Sequence, residues 1–168
     1  LIEPSGIFDM DEFFDALHEE PLDRWYQIGN VIAVVDAGLD EKMSEEADYI
    51  LASEVADAGC IVLSKTQEAS EKYIENTVKH LNRALEAVHC KRKFGEDEII
   101  RKDWEQFETE DFERILNSGY IAEDYEKMSL DEKEVFKSLY FMDLEISGEE
   151  LRDAAQKIMQ DPACGSVF

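Results

Sequence analysis

Residues 31–35 read Val-Ile-Ala-Val-Val, a continuous apolar, largely β-branched run that stops at Asp36-Ala37-Gly38. A second run, Cys60-Ile61-Val62-Leu63, stops at Ser64-Lys65-Thr66-Gln67. Runs of this length without polar alternation read as strands buried on both faces, as in a parallel sheet. Between them Ser44 caps a stretch with Ala47, Ile50, Leu51, Val55 and Ala58 on one helical face, ended by Gly59. After the second run a long helix is expected from Ser70, striped by Ile74, Val78, Leu81, Leu85 and Val88. Parallel strands need crossovers of this kind, so the pattern constrains the fold to an open α/β sheet.

The flanks extend the same alternation. Leu1-Ile2 reads as the tail of a buried strand. Asp9 and Glu12 form a capping box for a helix carrying Met10, Phe13, Phe14 and Leu17, which should end before Pro21. Residues 1–88 thus read strand, helix, strand, helix, strand, helix. In such sheets ligands bind beyond the carboxyl ends of the strands, which singles out the turns at 3–6, 36–38 and 64–67.

Further along the pattern changes. His89-Cys90-Lys91-Arg92-Lys93 is a short basic patch. Residues 96–126 carry 12 acids and 3 bases, a net −9, with Trp104, Phe107, Phe112, Tyr120 and Tyr125 interspersed. Thr109 is expected to cap a short helix with Phe112, Ile115 and Leu116. Segment 90–134 therefore reads as an acidic connecting region of short helices. A capping box at Ser129 and Glu132, a strand over 135–144, and a helix opened by a capping box at Ser147 and Glu150 follow. A strand then starts at Cys164-Gly165-Ser166-Val167-Phe168. This β-α-β unit reads as the beginning of a smaller α+β domain over 135–168. The apolar ends, at Leu1 and at Phe168, suggest a piece of something longer, with open sheet edges through which the chain could self-associate.

Charge narrows the partners. With 41 acidic and 17 basic side chains the chain carries −24, which disfavours nucleic-acid backbones and anionic membrane surfaces. No apolar run reaches the length of a membrane span, and no signal peptide is visible. Three dispersed cysteines, Cys60, Cys90 and Cys164, fit free thiols in a reducing cytoplasm. His80 and His89 are nine residues apart on one expected helix and so point to opposite faces, a poor start for a metal site.

Two turns could carry chemistry. In Glu3-Pro4-Ser5-Gly6 a glycine N–H could approach an anion and an acid could orient water or a metal ion, although taken alone the turn is better explained as an ordinary strand-to-helix turn. In Ser64-Lys65-Thr66-Gln67 a lysine stem could cover a purine, although taken alone the segment is better explained as a polar loop starting a helix. In order along the chain, Glu3-Pro4-Ser5-Gly6-Ile7-Phe8-Asp9, Val34-Val35-Asp36-Ala37, Ala56-Asp57 and Ser64-Lys65-Thr66-Gln67 resemble the CobW/HypB/UreG family of P-loop GTPases, in particular its CobW-like branch. The resemblance is good over 1–89, weak over 90–134, and returns over 135–168.

It implies an α/β fold: a partial, parallel, three-layer P-loop-type sheet followed by the start of a smaller C-terminal domain. Residues 1–89 would be the C-terminal half of the nucleotide-binding domain. The intact protein would bind and hydrolyse GTP with magnesium to deliver zinc or cobalt, or to insert metal into a cobalamin-type cofactor, with a metal-receiving client protein as partner. Gly6 would sense the γ-phosphate, Glu3 would lie near the magnesium or the attacking water, and Ser64, Lys65 and Gln67 would meet the guanine.

The departures are specific. No G-x-x-x-x-G-K-[ST] and no Cys-x-Cys-Cys occurs in the 168 residues; in the family both lie upstream of the position of Glu3. Gln67 stands where the family's base reader is Asp, and Ser64 where it is Asn. An amide offers one acceptor oxygen beside an NH2 donor, so guanine selectivity should weaken. The chain alone is accordingly expected to hold no cofactor tightly and to be inactive. The alternative is a non-catalytic interaction module that keeps the fold with degenerate guanine recognition and docks a basic partner on 96–126. An unrelated α/β domain is the third possibility.

Overall fold

The computed structural model describes residues 1–4, 10–127 and 146–161. The chain divides into two compact units, Leu1–Val135 and Phe136–Phe168. The first is built on a three-stranded parallel sheet in the order β1 (Ile32–Asp36), β2 (Cys60–Ser64), β3 (Ile99–Ile100). Each crossover contains a helix: α2 (Glu45–Ala56) joins β1 to β2, and α3 (Glu71–Ala87) joins β2 to β3. A shorter helix, α1 (Met10–His18), precedes the sheet, and α4 (Thr109–Leu116) follows it. The alternation of apolar runs and helical faces accounts for this parallel α/β arrangement, which is consistent with the partial P-loop-type fold that the resemblance implies.

The two apolar runs form β1 and β2 at the expected places, with Ile32 opposite Cys60 and Asp36 opposite Ser64. The Ser44 hydroxyl caps α2 by accepting the Ala47 N–H at 3.2 Å. The core lies where α2 and α3 meet one sheet face. Leu51, Val55, Leu81 and Leu85 pack there against Val35, Ile61 and Leu63, all under 9% exposed. Within it His80 is 2% exposed and its Nε2 lies 2.6 Å from Asp48 Oδ1. His89 is out on the surface, with its Nδ1 2.8 Å from Glu126 Oε2.

Several expectations need correction. Leu1 and Ile2 are exposed and in no strand; two residues ahead of a proline, which lacks an N–H, offer too few ladder bonds. β1 is not buried on both faces: Ile32 is 40% and Val34 68% exposed, because α2 and α3 cover only the face of Val35. The basic patch lies partly inside the fold. Cys90 and Arg92 are each 7% exposed. The Arg92 guanidinium donates to Ala56 O at 2.5 Å and to Glu98 Oε1 at 2.9 Å, and lies 4.4 Å from the centre of the Phe94 ring. A buried cation is tolerated because these partners satisfy it.

The acidic segment contributes a strand as well as short helices. Ile61 and Val62 of β2 pair with Ile99 and Ile100. Glu108, not Thr109, caps α4, and the Asp111 carboxylate accepts the Glu108 N–H at 2.9 Å. Residues 116–123 then run across the amino ends of β1 and β2. Val31 N–H donates to Gly119 O at 2.9 Å, Gly59 N–H to Val31 O at 2.8 Å, and Ile121 N–H to Asp57 O at 3.2 Å.

In the second unit, helix α5 (Gly148–Gln160) opens with the expected capping box. Glu150 N–H donates to Ser147 Oγ at 3.2 Å and Ser147 N–H to Glu150 Oε2 at 3.0 Å. The capping boxes expected at Asp9 and Ser129, the strand over 135–144 and the strand start at Cys164 lie outside the described residues.

Candidate functional site

β1 and β2 end level with each other, so their carboxyl-end turns lie side by side. Two hydrogen bonds join them, Ala37 N–H donating to Ser64 O at 2.9 Å and Ser64 Oγ to Val35 O at 3.3 Å, and Thr77 Oγ1 of α3 ties down the first turn by donating to Ala37 O at 2.8 Å. The chain leaves β2 through Lys65 in the left-handed region, at φ 55°. A residue with a Cβ pays for that conformation, so it persists where surrounding contacts hold it. Here the contact is an ion pair: Lys65 Nζ lies 2.7 Å from Asp36 Oδ2. Asp36 Oδ1 accepts the Gly38 N–H at 2.8 Å.

The pairing is visible in the acidities. Partial burial pushes the Asp36 carboxyl up. The hydrogen bonds from Lys65 and Gly38, with the lysine charge, outweigh this and leave it below its ordinary value. The same hydrogen bond to Asp36 raises Lys65. Both groups are therefore charged at neutral pH, and the lysine head is held at the strand end.

Beside this junction lies a hollow of about 380 Å³. Val34 and Val62 of the open sheet face line it, together with loop 64–67 and the rings of Trp104 and Phe107. The rings are carried by a short 3-10 turn, Trp104–Gln106, that starts four residues after Ile100 of β3 and whose cap Asp103 accepts the Glu105 N–H at 3.0 Å. Phe107 is braced by Phe112 of α4, ring centres 5.6 Å apart. An apolar hollow with a few polar groups at its edge suits a flat, partly polar ligand.

The structure thus brings together Ser64, Lys65 and Gln67. Glu3 is exposed and is not among the residues lining this hollow. Gly6 lies outside the described residues. Sequence reading missed Trp104 and Phe107, because the two-residue strand that aims them is too short to register as a run. Among the described residues no group of three His, Cys, Asp or Glu is arranged to hold a metal ion. No helix among them is long and apolar enough to cross a membrane.

The comparison that decides the family is with known protein domains: the family model of the CobW/HypB/UreG nucleotide-binding domain matches residues 1–95. The chain belongs to the CobW/HypB/UreG family. The match takes in α1 to α3, β1, β2 and the junction of Asp36 with Lys65, so that junction lies in a nucleotide-binding domain. Trp104 and Phe107 lie just beyond the matched residues. No curated protein and no solved structure matches the chain.

Proposed function

We propose that this chain supplies the base-binding part of a CobW-like, GTP-binding and GTP-hydrolysing metallochaperone, a cytoplasmic protein that works with magnesium. The observation that carries the reading is the hollow at the carboxyl end of β2, lined by Ser64, Lys65 and Gln67 within a domain of this family. Its size and lining fit a purine. The phosphate end is a different matter: the 168 residues contain no G-x-x-x-x-G-K-[ST], the loop that cradles the β-phosphate and brings a hydroxyl to magnesium. By family resemblance Glu3 belongs near the attacking water and Gly6 near the γ-phosphate. The cargo is zinc or cobalt, delivered to a client protein or inserted into a cobalamin-type cofactor.

Two results test this reading. Titration calorimetry of the chain with GTP and magnesium should give no submicromolar binding, because the base contact acts alone; a submicromolar Kd contradicts that. Gln67→Asp should tighten GMP binding about tenfold, since a carboxylate accepts from both guanine N1–H and N2–H while charged hydrogen bonds contribute roughly 1.5–3 kcal/mol against 0.5–1.5 for neutral ones. Unchanged GMP affinity in that variant would remove Gln67 from the base site. The same residue motivates the second reading, an interaction module that has relaxed nucleotide use. That reading gains if GMP fails to bind Gln67→Asp at millimolar concentration.

A further inference from the structure

The edge of the hollow has an amide where a carboxylate would select guanine, and its apolar surface includes an indole. Trp104 is 69% exposed, so much of its ring is not used by the fold. It nonetheless lines the same hollow as Lys65, Gln67 and the side chains of Val34 and Val62. The Asp103 cap fixes the turn that carries it, and Phe107, three residues on, is fixed by Phe112. A large aromatic surface on a short, capped turn beside an apolar floor is a stacking platform. Stacking accepts any base because every base has a π-face.

Selection at the base edge then rests on Gln67. Its amide carries one acceptor and one donor side. Adenine presents a matching pair, the N6–H donor beside the N1 acceptor. Guanine presents an acceptor–donor pair of the same kind, O6 beside N1–H, and only its N2–H is left unmatched, so the amide does not separate the two bases as a carboxylate would. The Lys65 ammonium spends one of its three donors on the Asp36 carboxylate at 2.7 Å, and the other two can meet N7, an acceptor that adenine and guanine share.

We propose that the hollow holds a purine base by stacking on Trp104, and that it takes adenine nucleotides about as well as guanine nucleotides. This rests on the base-site reading above and goes beyond it in the binding residue and in the class of ligand.

Fluorescence tests it directly. The chain has two tryptophans, and Trp25, 77% exposed, can be replaced by Phe so that Trp104 is the sole reporter. Titrating Trp25→Phe with GMP, AMP and CMP should quench the remaining emission, with GMP and AMP within about threefold of each other and CMP weaker. In a parallel calorimetric titration, Trp104→Ala should weaken AMP and GMP alike by about tenfold or more, while Trp104→Phe keeps most of the affinity. The side chain is largely exposed, so the alanine variant should fold, which a circular dichroism spectrum verifies. If GMP binds but Trp104 emission is unmoved and Trp104→Ala leaves its Kd unchanged, the stacking proposal fails and the base-site reading stands. If AMP binds more than tenfold more weakly than GMP, the purine-tolerant part fails. If none of the three nucleotides binds at millimolar concentration, the base-site reading fails and takes the proposal with it.

Discussion

Gly59→Ala should lose about 3 kcal/mol of folding stability, visible as a lower urea midpoint with an unchanged slope. Gly59 sits between α2 and β2, where the segment after α4 crosses the amino ends of the strands. A methyl group there would overlap the carbonyl oxygens of Ser118 and Gly119. Those atoms are backbone, and their positions are held. Gly119 O accepts the Val31 N–H at 2.9 Å, and the Gly119 N–H donates to Asn30 Oδ1 at 2.9 Å. The Asn30 amide in turn donates to Leu116 O at 2.6 Å. Relief of the overlap must break part of this set or shift β2 along the sheet. An unchanged midpoint would mean that residues 116–123 do not lie against Gly59.

Glu54→Gln should stabilise the chain by up to about 3 kcal/mol at pH 8 and by little near pH 4.5. Burial on α2 pushes the Glu54 carboxyl up from 4.5 to about 7. Between those values the folded chain binds a proton that the unfolded chain has released, so this group's effect is to lower stability as pH rises through the window. Above about pH 7 the full cost is present; the neutral amide escapes it. The carboxyls of Asp36 and Glu98 shift the other way. Partial burial pushes each up, but their hydrogen bonds and neighbouring cations outweigh it and leave both lowered. They contribute stability at neutral pH that is lost as pH falls through their folded-state values. Comparing variant with unaltered chain at each pH cancels these groups and isolates Glu54. A difference between the two chains that stays flat from pH 5 to 8 would mean the carboxyl is hydrated.

The parts of the fold legible in the sequence are those specified locally. β1 and β2 announce themselves as uninterrupted apolar runs, and α2, α3 and α5 carry a serine cap and a helical face. What was not legible depends on distant partners. Ile99-Ile100 is a strand only because β2 offers it an edge, and nothing within two residues distinguishes it from a helical fragment. Val34 has the same composition cue as Val35, yet one is open and the other buried, since α2 and α3 lie on one side. Arg92 reads as a surface charge until Ala56 O, Glu98 and the Phe94 ring are brought around it.

The same division holds at the candidate site. Loop 64–67 stands out because it ends a strand in a recognisable order of turns. The pairing of Lys65 with Asp36 follows from the level register of β1 and β2, which sequence does not state. The rings of Trp104 and Phe107 reach the hollow through β3, the least legible element. Acidic residues in 96–126 that invited a docking interpretation are partly engaged within the domain. Glu98 holds Arg92, and Asp111 accepts from Lys102 Nζ at 2.7 Å.

The proposed base site lies where β2 and β3 end. Amide chemical shifts of the isotopically labelled chain, followed during titration with GMP, test it most directly. The expected perturbations concentrate in residues 64–67 and 103–107, with smaller changes at Asp36 and Gly38. Perturbations confined to the opposite, amino end of the sheet, around Gly59 and Gly119, or none at millimolar GMP, would contradict it.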